Sequence, residues 1–140
     1  MIIMSVDYGD VRTGVAISDR LETYAFPVEV INETYQPKVI SKISFIISQK
    51  KPDVIVVGYP KNMDASEGSR AQKCKEFARE LEASSGIECV LWDERLTTVS
   101  AHNYLNVTNT RGKKRKEVVD AVAATIILQD YLDYRRNRNV

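Results

Sequence analysis

Cysteine and histidine are scarce in this 140-residue chain, with two of the one and one of the other. Neither Cys74 nor Cys89 belongs to a paired metal-ligand spacing, which excludes the common zinc folds and leaves two reduced core residues, as in a reducing compartment. His102 stands alone and reads as a helix or surface residue. Long apolar runs are missing too. The segment Ile2 to Val6 is short, lacks a basic flank and meets Asp7 at once, unlike a secretory leader. Nothing approaches the roughly 20 apolar residues that cross a bilayer. No repeat, linker or low-complexity tract divides the sequence, and 44% hydrophobic residues suffice for one core. The expectation is one cytoplasmic domain over residues 1–140 with no membrane partner.

Net charge is also small, at +1, but it is unevenly spread. Arg111, Lys113, Lys114, Arg115 and Lys116 crowd one window, and Arg135, Arg136 and Arg138 follow in the tail. Without these eight, twelve bases face nineteen acids, a balance of −7. A basic patch on an acidic body suits a surface that tracks phosphates, because each Lys or Arg contact releases a condensed counterion. A solvated loop and tail would look the same, so the charge pattern alone leaves both open.

The chain begins with β-rich segments, Ile2 to Tyr8 and Gly14 to Ser18, with Gly9 and Gly14 framing a hairpin turn. Phe26 to Ile31 follows, with Pro27 favouring a strand start or edge. Val39, Ile40, Ile43, Ile46 and Ile47 recur at helical spacing, and Pro37 sits where a first helical turn tolerates it. Asp53 to Val57 reads as a buried central strand ended by Gly58. Ala71, Cys74, Phe77, Ala78 and Leu81 mark a second amphipathic helix that stops near Gly86. Ile87 to Trp92 supplies a fifth strand, and Thr97 or Thr98 can cap a helix after it. A basic loop then precedes a last helix over Glu117 to Tyr134. The order predicts an α/β fold, a mixed five-stranded sheet with helices on both faces.

Three carboxylates sit where an unpaired charge would be costly. Asp7 lies inside an apolar strand, and the turn that follows, Tyr8-Gly9 and then Arg12-Thr13-Gly14, lets backbone approach a phosphate closely. Glu94 follows the fifth strand, at the carboxyl end where functional groups of open α/β sheets gather. Asp93 and Glu94 would face opposite sides of a continuing strand, and Glu94 is chosen for the site. Asp120 shares a helical face with Ala123, Ala124 and Ile127, small or apolar residues that suit close approach to the sheet. A turn cap, a helix-dipole partner and an arginine pair are the respective structural alternatives. Three carboxylates without His or Cys point to a hard cation, Mg²⁺ or Mn²⁺. Such ions activate water and stabilise a leaving oxygen, so hydrolysis needs no protein nucleophile. Arg95 can neutralise a phosphate or pair with Asp93. Lys61 in the loop Gly58 to Asn62, Arg70 at the start of the next helix, and Lys113, Lys114 and Arg115 complete the candidate phosphate contacts.

Asp7-Tyr8-Gly9, Val56-Val57-Gly58-Tyr59-Pro60, Trp92-Asp93-Glu94-Arg95-Leu96-Thr97-Thr98 and Lys116 to Leu132, in that order, closely resemble the bacterial YqgF (RuvX) family. The resemblance implies an RNase H-like fold related to RuvC resolvases, with Asp7, Glu94 and Asp120 as the catalytic, metal-binding acids. It further implies a nuclease that matures the 5′ end of pre-16S rRNA, although members also carry the label of Holliday junction resolvase. The expected partners are nucleic acid, pre-rRNA ahead of branched DNA, and ribosomal precursor particles, with the protein a monomer or weak homodimer. Two readings of other classes remain: a noncatalytic RNA-binding assembly module, and an actin-like nucleotide-binding domain suggested by Asp-x-Gly on a first hairpin. Against the latter, such enzymes close two domains around the nucleotide, and 140 residues supply one.

Overall fold

The structure is a computed structural model and describes residues 1–60, 68–93 and 112–138, with side chains of the last stretch described from 122 to 137. Five strands, β1 (Ile3–Asp7), β2 (Arg12–Ser18), β3 (Ala25–Asn32), β4 (Val54–Tyr59) and β5 (Cys89–Asp93), form one sheet in the order β3-β2-β1-β4-β5. The β1–β2–β3 meander is antiparallel, whereas β4 and β5 join parallel to β1. This is the expected mixed sheet. Helices α1 (Gln36–Lys50) and α2 (Ser69–Ser85) are the crossovers, and α3 (Gly112–Arg138) follows β5.

Alternation along β1 divides the core in two. Met4 and Val6 point to one face, where Val57, Val39, Ile43, Phe77 and Leu81 from β4, α1 and α2 bury them. Ile3 points to the other, under Ala124, Ile127, Leu128 and Leu132 of α3. Helices therefore cover both faces, as the sequence predicts. Pro37 lies in the first turn of α1, and Gly86 closes α2 in the left-handed region, donating its N–H to the Glu82 carbonyl. Pro27 lies on edge strand β3, beside an irregularity that shifts the β2–β3 register.

Several boundaries differ from expectation. Strand β2 starts at Arg12, so Gly14 does not frame the turn; it lies in the ladder opposite Asp7. The turn closes instead at Gly9, whose N–H donates to Thr13 Oγ1 at 3.4 Å. A Cβ on Gly9 would collide with the Arg12 carbonyl oxygen, so this approach admits only glycine. The predicted basic loop is also corrected, because residues from Gly112 onward are already helical and α3 runs to Arg138. Lys and Arg are good helix formers, and the long apolar stripe behind them gives α3 its tertiary support.

The carboxyl half of α3 is clamped to the segment between β2 and β3. Arg135 Nε donates to Glu22 Oε1 at 2.7 Å. Gln129 accepts from the Ala25 N–H and donates to the Thr23 carbonyl, each at 3.0 Å. Arg136 donates to the same Thr23 carbonyl at 3.1 Å. Two of the three tail arginines thus have structural partners, and the tail is not simply a phosphate-tracking surface. Glu22 also pairs with the amino terminus beside β1, which places the carboxyl end of α3 at the amino end of that strand. Helix α3 therefore runs antiparallel to β1.

Candidate active site

Asp7 ends the central strand, half-buried just beyond Val6, which is fully buried. By alternation it lies on the face covered by α3, with Ile3 and Ser5. Its row across the sheet follows from the registers. Gly14 pairs with Asp7 on β2, the next step of the β1–β4 ladder brings Gly58 level with it, and Gly58 pairs with Trp92 on β5. Asp7 thus stands between two glycines. Neither glycine puts a side chain into that row.

Ser5 sets the height of α3 above this row. It is fully buried in the middle of β1, and its hydroxyl donates to the Ala124 carbonyl at 2.7 Å. A serine beneath an alanine lets the helix come close, as the small residues Ala123 and Ala124 lead one to expect. From Ser5 to Asp7 the strand advances two residues, about 6.6 Å. From Ala124 back to Asp120 an antiparallel helix advances four residues, about 6 Å, and a little over one turn. The backbone of α3 therefore carries Asp120 to the level of Asp7 on the sheet-facing side of the helix. The Asp120 side chain lies outside the described set.

Strand β5 ends at the same edge of the sheet, one residue before the third expected position. Trp92 lies on the α3 face, where it packs edge-on against Tyr131 with ring centroids 5.5 Å apart. Alternation then puts Asp93 on the opposite face, level with Tyr59. Glu94 is the next residue and, with Lys61 and Arg95, lies outside the described residues. Lys113, Lys114 and Arg115 fall in the first turns of α3, again without described side chains. Arg12 opens β2, half-buried and opposite Asn32.

Arg70 has a more defined place. From the first turn of α2 its Nη2 donates to the Tyr8 carbonyl at 3.1 Å, bracing the turn that follows Asp7. The Tyr8 ring stacks on Phe77 of α2, 4.1 Å between centroids and 7° between planes. Burial pushes the Tyr8 phenol above its ordinary value, and the Asp10 carboxylate adds to the shift. Asp10 itself faces Arg70 Nη1 at 3.9 Å and Lys73 Nζ at 3.7 Å. The sequence reading passed over Ser5, Asp10 and Lys73. Of these only Ser5 carried a signal, as a polar residue inside an apolar run.

The cysteines belong to the side of the sheet covered by α1 and α2. Cys74 is buried in α2, and Cys89 packs on the α1/α2 face, where burial, helped by Glu82 and Glu88, pushes its thiol up to about 12. Among the described residues no helix is long and apolar enough to cross a membrane.

Structural similarity defines the class first. RuvC of T. thermophilus, in a structure with a Holliday junction substrate, matches with a TM-score of 0.63 and 11% identity, over 98% of this chain and 96% of that one. The fowlpox virus Holliday junction resolvase matches at 0.55 and 17%, over 96% and 99%. The fold is that of the RuvC-like RNase H domains. More particularly, the chain belongs to the RuvX family, described as Holliday junction resolvase, whose model matches residues 1–134. A relative from Agathobacter rectalis is 45% identical over 140 residues, 98% of each chain, and one from Halothermothrix orenii is 46% identical over 135 residues, 96% of each. Both bear the name "Putative pre-16S rRNA nuclease". The protein is thus a hydrolase of phosphodiester bonds, and its substrate is a nucleic acid.

Proposed function

We propose that this protein is a divalent-metal-dependent nuclease that processes the 5′ end of pre-16S rRNA, with Asp7, Glu94 and Asp120 as its catalytic, metal-holding acids. The observation that carries this reading is the row Gly14-Asp7-Gly58-Trp92, an acid flanked by glycines at the carboxyl end of the central strand, beneath the turn of α3 that bears Asp120. Alternation in β5 supports Glu94 over Asp93, since Trp92 already occupies the Asp7 face. Three carboxylates with no thiol or imidazole among the described residues on that face fit a hard cation such as Mg²⁺ or Mn²⁺. When bound, such a cation lowers the pKa of water and offsets charge on the leaving oxygen. The chain's own part is to hold the acids rigidly: β1 fixes Asp7, Ser5 fixes the height of α3, and Arg70 braces the turn beyond Asp7. Gly9, Arg12, Lys61, Arg95, Lys113, Lys114 and Arg115 are assigned to the nucleic-acid backbone.

Ribosomal RNA is preferred over branched DNA because the full-length relatives carry the rRNA name at 45% and 46% identity, whereas the junction-bound structure is alike in fold at 11%. The test is cleavage of a 5′-extended 16S precursor and of a four-way DNA junction, each with Mg²⁺, Mn²⁺ or EDTA. The expected result is metal-dependent cutting of the RNA alone. Cutting of the junction alone would reassign the substrate, and tight RNA binding without any cleavage would leave a noncatalytic assembly module.

A further inference from the structure

The group formed by Asp10, Arg70 and Lys73 lies on the α2 side of the sheet's carboxyl edge, beyond the turn that follows Asp7. Two cations of α2 converge on one carboxylate of the β1–β2 turn, at 3.9 Å and 3.7 Å. Both separations exceed the roughly 2.7–2.9 Å of a good charge-assisted hydrogen bond. The side chains are 62% exposed for Asp10, 48% for Arg70 and 60% for Lys73, so water screens the pairing heavily. Such a contact contributes little to holding the turn. The turn is held instead by the Arg70 bond to the Tyr8 carbonyl and by the Tyr8 ring on Phe77. That same bond fixes one arm of the Arg70 guanidinium and leaves its other arm directed at the anion, with Lys73 beside it.

We infer that Arg70 and Lys73 form a subsite for a backbone phosphodiester and that Asp10 is a displaceable anion occupying it in the nucleic-acid-free protein. A phosphodiester carries the same single charge as a carboxylate and two non-bridging oxygens, so one can accept from the guanidinium and the other from the ammonium. A strand whose scissile phosphate lies at Asp7 would bring a neighbouring phosphate to this rim of α2, and Asp10 would swing into solvent. Displacement then couples to the catalytic end of β1 through Arg70, which stays bonded beside Asp7. The inference rests on the nuclease reading and adds a competitor to its substrate.

Equilibrium binding of a labelled single-stranded RNA in EDTA tests it without any cleavage step. The variants are Asp10→Asn, Lys73→Gln, the two combined, and Glu29→Gln, which removes one exposed charge from the remote edge strand β3. Asp10→Asn is expected to bind about threefold tighter than Glu29→Gln at low salt, the size of an exposed ion pair. That gain should shrink when Lys73→Gln is present, because only the Arg70 half of the pairing then remains, and Lys73→Gln alone should flatten the salt slope by about 0.7. Equal affinities for Asp10→Asn and Glu29→Gln, or a gain left undiminished by Lys73→Gln, would overturn the subsite. If this happens while wild type still cleaves the precursor, the nuclease reading stands and the subsite alone fails. A wild type that neither binds nor cleaves RNA defeats both.

Discussion

At the scale of single residues, acids in this chain are treated very differently by their surroundings. Asp7 gains its character from what its neighbours lack, with Gly14 on one side and Gly58 level with it on the other. Glu22 is the opposite case, a carboxylate committed to structure. Burial alone would raise its pKa, but the Arg135 hydrogen bond at 2.7 Å and the amino terminus at 3.3 Å hold it below its ordinary value of 4.5. With the folded value depressed, its contribution is fully present above 4.5 and is lost as pH falls through the folded value. Glu22 is 26% exposed, so screening is only partial. Glu22→Gln is expected to cost about 1 kcal/mol at pH 7, roughly 2–4 °C in Tm for a domain of this size. Thermal melts of both proteins between pH 7 and pH 3 check the sign, since the gap should close on the acid side; a gap that stays constant would exclude the titrating clamp.

At the scale of elements, the account depends on how α3 lies over β1. Its antiparallel course is set by the Arg135–Glu22 and Gln129 contacts at one end, and its height by the Ser5 hydroxyl under Ala124. Ser5→Leu would force extra volume beneath the helix, destabilising the fold by about 1–3 kcal/mol and lifting the Asp120 turn from Asp7. Cleavage is therefore expected to fall at least ~10-fold at temperatures where circular dichroism shows the variant fully folded, because misplacement of about an ångström is costly in catalysis. Normal turnover in a folded Ser5→Leu protein would show that this height does not matter. Helices α1 and α2 were legible in the sequence because their isoleucines, Phe77 and Leu81 repeat with the helical period, and the strands because they are short apolar runs, although β4 continues through Gly58 to Tyr59 where the sequence suggested an end. The start of α3 was not. A run of Lys and Arg carries no apolar period, so nothing local distinguished the first turns of a helix from a charged loop. The place of Gly14 was hidden for a related reason, since a ladder glycine beside an acid looks like a turn glycine until the register is known.

At the scale of the whole molecule, the RuvC-like sheet brings the carboxyl ends of β1, β4 and β5 to one edge and lays α3 across the Asp7 face. The candidate acids come from residues 7, 94 and 120, and the parallel joining of β4 and β5 to β1 brings Asp7 and Asp93, the residue before Glu94, to the same edge of the sheet. The motif order was readable in the chain, whereas the neighbours of Asp7, the partner of Ser5 and the pairing of Asp10 with Lys73 were not, because each depends on long-range register. The most direct measurement is single-turnover cleavage of precursor 16S rRNA with Mg²⁺ by wild type, Asp7→Asn, Glu94→Gln, Asp120→Asn and Asp93→Asn, each checked for folding by its melt. The account predicts losses of at least ~100-fold, about 2.7 kcal/mol of barrier, for each of the first three variants, and a change of only a few-fold for Asp93→Asn. Wild-type turnover by folded Asp7→Asn would contradict it at its centre.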